Sequence, residues 1–388
     1  MSNSDGAAKV WRVLESVSLA DGPDSAGSKA AAELVGTGID SHELLGRAAR
    51  HALVPAVADL LVAHDLLGVV PGQLRAHLRG ALGWNVYRTE QAVAEARRIA
   101  DAFDDAGVPV AFNKGVVFQQ LLYQGRGTRV FSDIDLMIRP ADKDATARLL
   151  ADLGYQAAKQ FDHRRGELVD LPRSEILMYG LYPDHLPHAH RLTGLPHLPY
   201  FMVDIAFNAA WYGSGWQLPM DGVMAELPHV PVAPAPDPTA VRLPALDARY
   251  GFLFIVLHLF REAWFERAIL EGDVRLTQFA DVLRFWRAQG AERADEIREL
   301  VAAHRLGSVL AWVAHHVDRV YGSDLTGEFG GLAEYADPDW FASAGGVDGG
   351  YLRWHGDMRR RLAADDAVEL SPAAPPPFAA AARVTPGT

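Results

Sequence analysis

A chain of 388 residues with 37 basic and 49 acidic side chains has a formal charge of -12, which repels a polyanionic backbone and excludes general DNA or RNA binding without a local basic patch. At 49% hydrophobic and 22% charged residues the composition suits a globular protein, one large or two ordinary domains around a buried core. No cysteine occurs, which removes disulfides and thiolate metal sites.

Residues 1–9 are polar and lack the basic-then-apolar pattern of an export signal. The longest apolar run, 252–260, is interrupted by His258 and falls short of the ~20 residues that cross a bilayer. The expectation is a cytoplasmic protein without membrane contact.

Residues 1–39 read as a loose N-terminal segment. Residues 40–107 read as helical: Asp40 with Glu43 makes a capping-box signature, and Pro55 and Pro71 sit where helices begin. Three helices are the simplest division, the last burying a stripe through Leu74, Leu78, Leu82, Val86, Val93, Ala96, Ile99 and Phe103. Residues 108–227 then change character. A strand over 108–112, a helix over 114–123 stopped at Gly125 and Gly127, and a strand over 129–138 follow one another. Pro140 and Asp142 open a further helix, closed by Gly154. Strands are expected at 175–181 and 200–207, separated by a loop rich in proline and histidine, so the fold class is α+β, a mixed sheet with helices on one face. The proline-rich stretch 228–244 reads as a linker, 245–370 as a second helical part with helices near 253–260, 276–286 and 300–320, and 371–388 as a disordered tail.

The segment that bears chemistry is Arg129-Val-Phe-Ser-Asp133-Ile-Asp135. On a strand, alternation puts Asp133 and Asp135 on one face with their carboxylates ~7 Å apart, an arrangement that repels in a dry core unless a divalent cation lies between them. A solvated edge strand would carry the same pair without a metal. Asp204 stands alone inside the apolar strand Met202-Val203-Asp204-Ile205, where an unpaired charge is costly and needs a metal, an arginine or exposure. Asn113-Lys114-Gly115 lies where a strand turns into a helix, so phosphate oxygens or merely an ordinary asparagine cap would fit there. His185, His188, His190 and His197 lie among prolines without the helical spacing of a metal pair, and a flexible loop facing an acceptor accounts for them better than zinc. His258 and Glu262 are one helical turn apart and suit either a site or a buried pair; Arg275 and Asp281 suit a structural pair.

The order Lys114-Gly115, Arg129, Asp133-Ile134-Asp135, Gly154-Tyr155 and Asp204 resembles the bacterial, uncharacterised nucleotidyltransferase-like family of the DNA polymerase β superfamily. Leu257-His258 and the helix Arg275 to Leu283 are similar to that family's later helices, so the resemblance runs from about 40 to 320. It departs from the wider superfamily in having Lys-Gly at the first helix and a longer interval to the paired acids, and from the family in having alanine at 206 where a histidine is frequent. The resemblance implies a polymerase-β-like core flanked by helical parts. It further implies a nucleoside triphosphate, ATP first, whose nucleotide passes to a hydroxyl or amine of a small molecule or peptide with release of pyrophosphate. Asp133, Asp135 and Asp204 would hold two Mg²⁺ ions and be catalytic, while Lys114, Gly115, Arg129 and Ser132 would hold phosphates. A noncatalytic nucleotide-binding regulator, and a protein-modifying or antitoxin-like partner protein, are the alternatives.

Overall fold

The computed structural model describes residues 3–181, 184–232, 241–271, 274–363 and 368–382. Its N-terminal end is not loose. Helix α1 (Asn3–Ser18) buries Val10, Val13, Leu14 and Val17, a stripe of helical period, and α2 (Ala26–Gly36) begins at Ser25, whose Oγ accepts the Ser28 N–H. As its spacing predicts, Asp40 caps α3 (Ser41–Arg50) by accepting the N–H groups of His42 and Glu43. Pro55 sits in the first turn of α4 (Val54–Ala63), and Pro71 precedes the 34-residue α5 (Gly72–Asp105), which buries Leu78, Val93, Ala96, Ile99 and Phe103.

Next come β1 (Ala111–Asn113), α6 (Gly115–Leu121) and β2 (Ile134–Met137). The strand expected from residue 129 begins only at 134. Upstream, Asn85 Nδ2 donates to the carbonyls of Gly127 and Arg129 at 2.7 and 2.9 Å, and Gln119 Nε2 donates to Arg129 at 3.0 Å, so side chains take the place of a ladder. Helix α7 (Lys143–Asp152) is followed by Gly154 in the left-handed region at φ 85°, as expected. Strand β3 (Gln156–Ala157) and the hairpin β4 (Lys159–Asp162) and β5 (Glu167–Asp170) lead into α8 (Arg173–Leu181), then β6 (His185–Leu195) and β7 (Leu198–Ala206).

Two expectations fail in this stretch. A helix stands where 175–181 was expected to be a strand, because the Pro172 carbonyl accepts the N–H groups of Glu175 and Ile176 and starts a turn. The proline- and histidine-rich stretch is not a loop but β6, joined to β7 by a two-residue turn with His197 at φ 60°. The main sheet has the order β1-β2-β7-β6-β3, antiparallel except for the central β2–β7 pair, so the molecule is α+β with a mixed sheet.

The described parts of 228–244 are not a free linker. Strand β8 (His229–Pro231) pairs with β9 (Arg242–Pro244), and Ala245 bridges Phe112 beside β1, an edge where missing proline donors cost nothing. Residues 233–240 lie outside the described set. The short α9 (Met220–Val223) precedes that stretch, and the C-terminal part runs through α10 (Ala248–Trp264), α11 (Glu266–Glu271), α12 (Leu276–Phe285), α13 (Ala294–Ala303) and α14 (Gly307–Tyr321). The single helix expected over 300–320 is broken at Arg305, whose φ of 57° leaves the helical region. Strands β10 (Ser343–Gly345), β11 (Tyr351–Trp354) and β12 (Leu370–Ala373) form a small sheet. The tail is ordered as far as residue 382: Gly215 donates to the Ala381 carbonyl at 2.7 Å, and Ala379 and Ala382 are buried; 383–388 lie outside the described residues. Among the described residues no helix is long and apolar enough to cross a membrane.

Two arginines tie these parts together. Arg129 makes a two-pronged bond to Asp281 of α12, Nη2 to Oδ2 at 2.8 Å, and Tyr123 donates to Asp281 Oδ1 at 2.7 Å. Arg284 donates to the carbonyls of Ser18, Ala20 and Leu122, joining α1, the end of α6 and α12. Because the Arg129–Asp281 pair is buried, removing one partner strands the other charge. Asp281→Ala is expected to lose about 3–5 kcal/mol in urea unfolding, and Arg129→Met combined with Asp281→Leu to recover at least half of that loss. A loss below about 1 kcal/mol for the single variant would mean that the pair holds little together.

Candidate functional site

Sheet pairing brings the acids together. In the parallel β2–β7 register Asp135 lies beside Asp204, and Asp133 sits in the bend two residues ahead of Asp135. Each of the three offers a carboxylate oxygen, and the three atoms lie within 4.8 Å of one another. Burial pushes Asp135 up to about 7; Lys114 works against that shift, and Asp133 and Asp204 add to it by repulsion.

The counter-charge is Lys114, whose Nζ lies 2.7 Å from Asp135 Oδ1. Its backbone, at φ 42° and ψ -116°, occupies a region that side-chain-bearing residues avoid, a strain of about 1–3 kcal/mol that aims the ammonium into the acids. Burial alone would lower its pKa, but attraction to Asp135, Asp204 and Asp133 raises it, so the group is charged. One ammonium against three carboxylates leaves net negative charge. Asp204 Oδ1 is buried and accepts no hydrogen bond, its nearest ionic neighbour being His188 Nε2 at 3.5 Å. The donor set and this orphaned oxygen fit a divalent cation with oxygen ligands.

The histidines reach Asp204 through a bulge. Between Leu186 and Ala189 strand β6 carries one residue more than β7, and Pro187, which has no N–H to lose, falls inside. The extra residue brings His185 and His188 to the same side, with His185 Nε2 3.9 Å and His188 Nε2 3.5 Å from Asp204. Burial would raise Asp204, but the close His188 and His185 rings and the Lys114 ammonium prevail, so it stays well below the usual carboxylate range. The nearness of Asp204 in turn raises His188. Asp184, buried and paired with Arg261 at 3.3 Å, anchors His185 Nδ1 at 3.4 Å.

Asp135 and Asp204 open on a cavity of about 340 Å³, together with Asn113, Lys114, Arg261 and both His258 and Glu262 of α10. His258 is held well below its ordinary pKa by burial and then by Lys114 and Arg261, and it is neutral. The four proposed phosphate contacts do not assemble as expected. Lys114 lines the cavity. Arg129 is spent on Asp281, which pairs with it and not with Arg275. Gly115 is buried, and a Cβ there would meet the Phe131 ring at 2.9 Å and the Asp133 carbonyl at 3.2 Å, so its smallness serves packing. Ser132 is exposed beside Asp133 and faces a different cavity. Asn113, named in the sequence only as part of the turn before the helix, has a buried and unbonded Oδ1 at this cavity, while Arg261 carried no signal in the sequence.

A family model described as uncharacterised nucleotidyltransferase matches residues 37–322, from just before α3 to just past α14. No curated protein gives a significant match.

Asp135 provides a test in metal-free buffer. Its folded pKa, about 7, lies above its ordinary 3.8, so the folded chain holds this proton longer than the unfolded one, and the residue costs stability as pH rises between those values. Asp135→Asn lacks that cost. In urea unfolding with EDTA the variant is expected to gain stability relative to wild type from pH 4.5 to pH 7.5 and to hold the gain above that; a constant difference would contradict the strained ionisation of Asp135.

Proposed function

The chain belongs to the uncharacterised nucleotidyltransferase family, and on that premise we propose that it moves a nucleoside monophosphate from a nucleoside triphosphate, ATP first, onto a hydroxyl or amine of a small molecule or peptide. The observation that carries this is the gathering of Asp133, Asp135 and Asp204 within 4.8 Å, the last two lining a cavity with Lys114. A polymerase-β-type core is supported by the sequence of strand, short helix and antiparallel strand with Asp135 on it and Asp133 just ahead, followed by a parallel strand with the third acid.

Asp133 and Asp135 would hold both of two Mg²⁺ ions and Asp204 the one nearer the acceptor; bound there, they stabilise the attacking and leaving oxygens of an in-line displacement. The acceptor's oxygen or nitrogen forms a bond to the α-phosphorus as the bond to pyrophosphate breaks, and its proton passes to water. Lys114 and Arg261, the permanent cations of the cavity, hold phosphate oxygens. His185 and His188 keep Asp204 ionised and aimed, and Asp184 keeps His185 in position. Asn113, next to Asp135 in the β1–β2 register, has a buried amide oxygen free to accept from a ligand hydroxyl or water.

One observation favours the regulator alternative: Lys114 already neutralises Asp135. Pyrophosphate release separates the two. With Mg²⁺, each of the four ribonucleoside triphosphates and whole lysate as a source of acceptor, release is expected with one nucleotide and to fall about a thousandfold or more in Asp133→Ala/Asp135→Ala, the equivalent of roughly 4 kcal/mol of transition-state stabilisation. Nucleotide binding without acid-dependent release would make the protein a regulator.

A further inference from the structure

Asp133 opens on a second cavity, of about 190 Å³. Asp135 and Asp204 line the first cavity and Asp133 the second, while oxygens of all three lie within 4.8 Å, so the acid cluster is the partition between the two. The second cavity is walled by Trp84 and Arg88 of α5, Phe131 ahead of β2, His163 in the β4–β5 turn and Tyr200 of β7. Arg88 is its distinctive group. The guanidinium lies over the Phe131 ring at 4.9 Å, its Nε and Nη2 are buried without a hydrogen bond, and it makes no ion pair among the described residues. Arg129, Arg191 and Arg284, placed in comparable surroundings, each hold a carboxylate. Burial lowers the Arg88 pKa, and the nearby Asp133 charge and the Phe131 ring offset only part of that, so the cation stands without a carboxylate partner among the described residues.

We propose that this second cavity is the acceptor site and takes a small flat ring bearing a carboxylate or phosphate, its anion on Arg88 and its ring against Trp84 and Tyr200. The assignment rests on the transferase reading above. In an in-line displacement the attacking atom enters opposite the leaving pyrophosphate. Lys114 and Arg261 place the phosphate-binding side in the first cavity, and an acceptor in the second reaches past Asp133 toward the Asp204 carboxylate, one oxygen of which lies within 4.8 Å of one of Asp133's. The guanidinium supplies the positive charge that an anion in this cavity would meet, and aromatic faces hold a flat ring without fixing its substituents.

The test reads binding and needs no turnover. Full-length protein is titrated calorimetrically with 4-hydroxybenzoate and with phenyl phosphate as probes, with benzyl alcohol as the uncharged control, and separately with ATP and Mg²⁺. Wild type is expected to bind at least one anionic probe and not the alcohol. Arg88→Met should weaken that probe at least tenfold while ATP affinity stays within about twofold and melting temperature holds or rises, since an unpaired buried cation is gone. Trp84→Ala, at a more exposed position, should weaken the probe by about threefold or more and carries the same test if Arg88→Met fails to fold. Which probe binds separates carboxylate from phosphate acceptors. No probe binding by wild type, or equal binding by the variants, overturns the proposal. Arg88-dependent probe binding in a protein that binds neither ATP nor the other three ribonucleoside triphosphates would keep the anion site but remove its acceptor role, and with it the transferase.

Discussion

Holding three carboxylates within 4.8 Å in a largely dry place is the constraint from which the rest of the site follows. Mutual repulsion and lost hydration oppose the arrangement, and the fold answers with backbone geometry. A parallel pair at the centre of an otherwise antiparallel sheet sets Asp135 beside Asp204. A strained turn at Lys114 delivers one ammonium, and a bulged strand turns two histidines to the same carboxylate. Each device is costly or irregular taken singly, and each makes sense as a reply to the same concentration of charge.

Residues that recur as a motif divide here into chemistry and framework. Asp133, Asp135, Asp204 and Lys114 face cavities. Arg129 does not; it clamps Asp281, 152 positions further on, so that two parts of one motif find each other across the fold. Tyr155 is similar: its hydroxyl donates to Glu95 at 2.7 Å, and the same carboxylate takes Arg98 and Arg191, fastening α5 to β6. Gly115 and Gly127 are small because Phe131 and Val86 press against them.

The α+β class, the three helices from residue 40 and the acids were legible because caps, apolar period and the D-x-D spacing are local signals. What stayed hidden depends on contacts distant in sequence. Nothing near Arg129 announces Asp281, and nothing in the run of prolines and histidines announces that β7 will take it up as a strand with Pro187 in a bulge. The α1–α2 segment looked loose because its stripe is short and alanine-rich; packing against α12, with Arg284 reaching back to its carbonyls, supplies what local propensity lacks. Helix α8 shows the reverse error, since Pro172 was a start signal that the apolar run behind it overshadowed.

The ammonium of Lys114 has a consequence for the life of the chain. Many sites built from clustered acids are closed only by an ion from outside, and such proteins emerge from synthesis unfinished. Here one positive charge is encoded next to the first strand of the sheet and lies against Asp135, so part of the repulsion among the acids is answered within the chain. Any cation entering the cluster would have to compete with a charge that the chain already carries there.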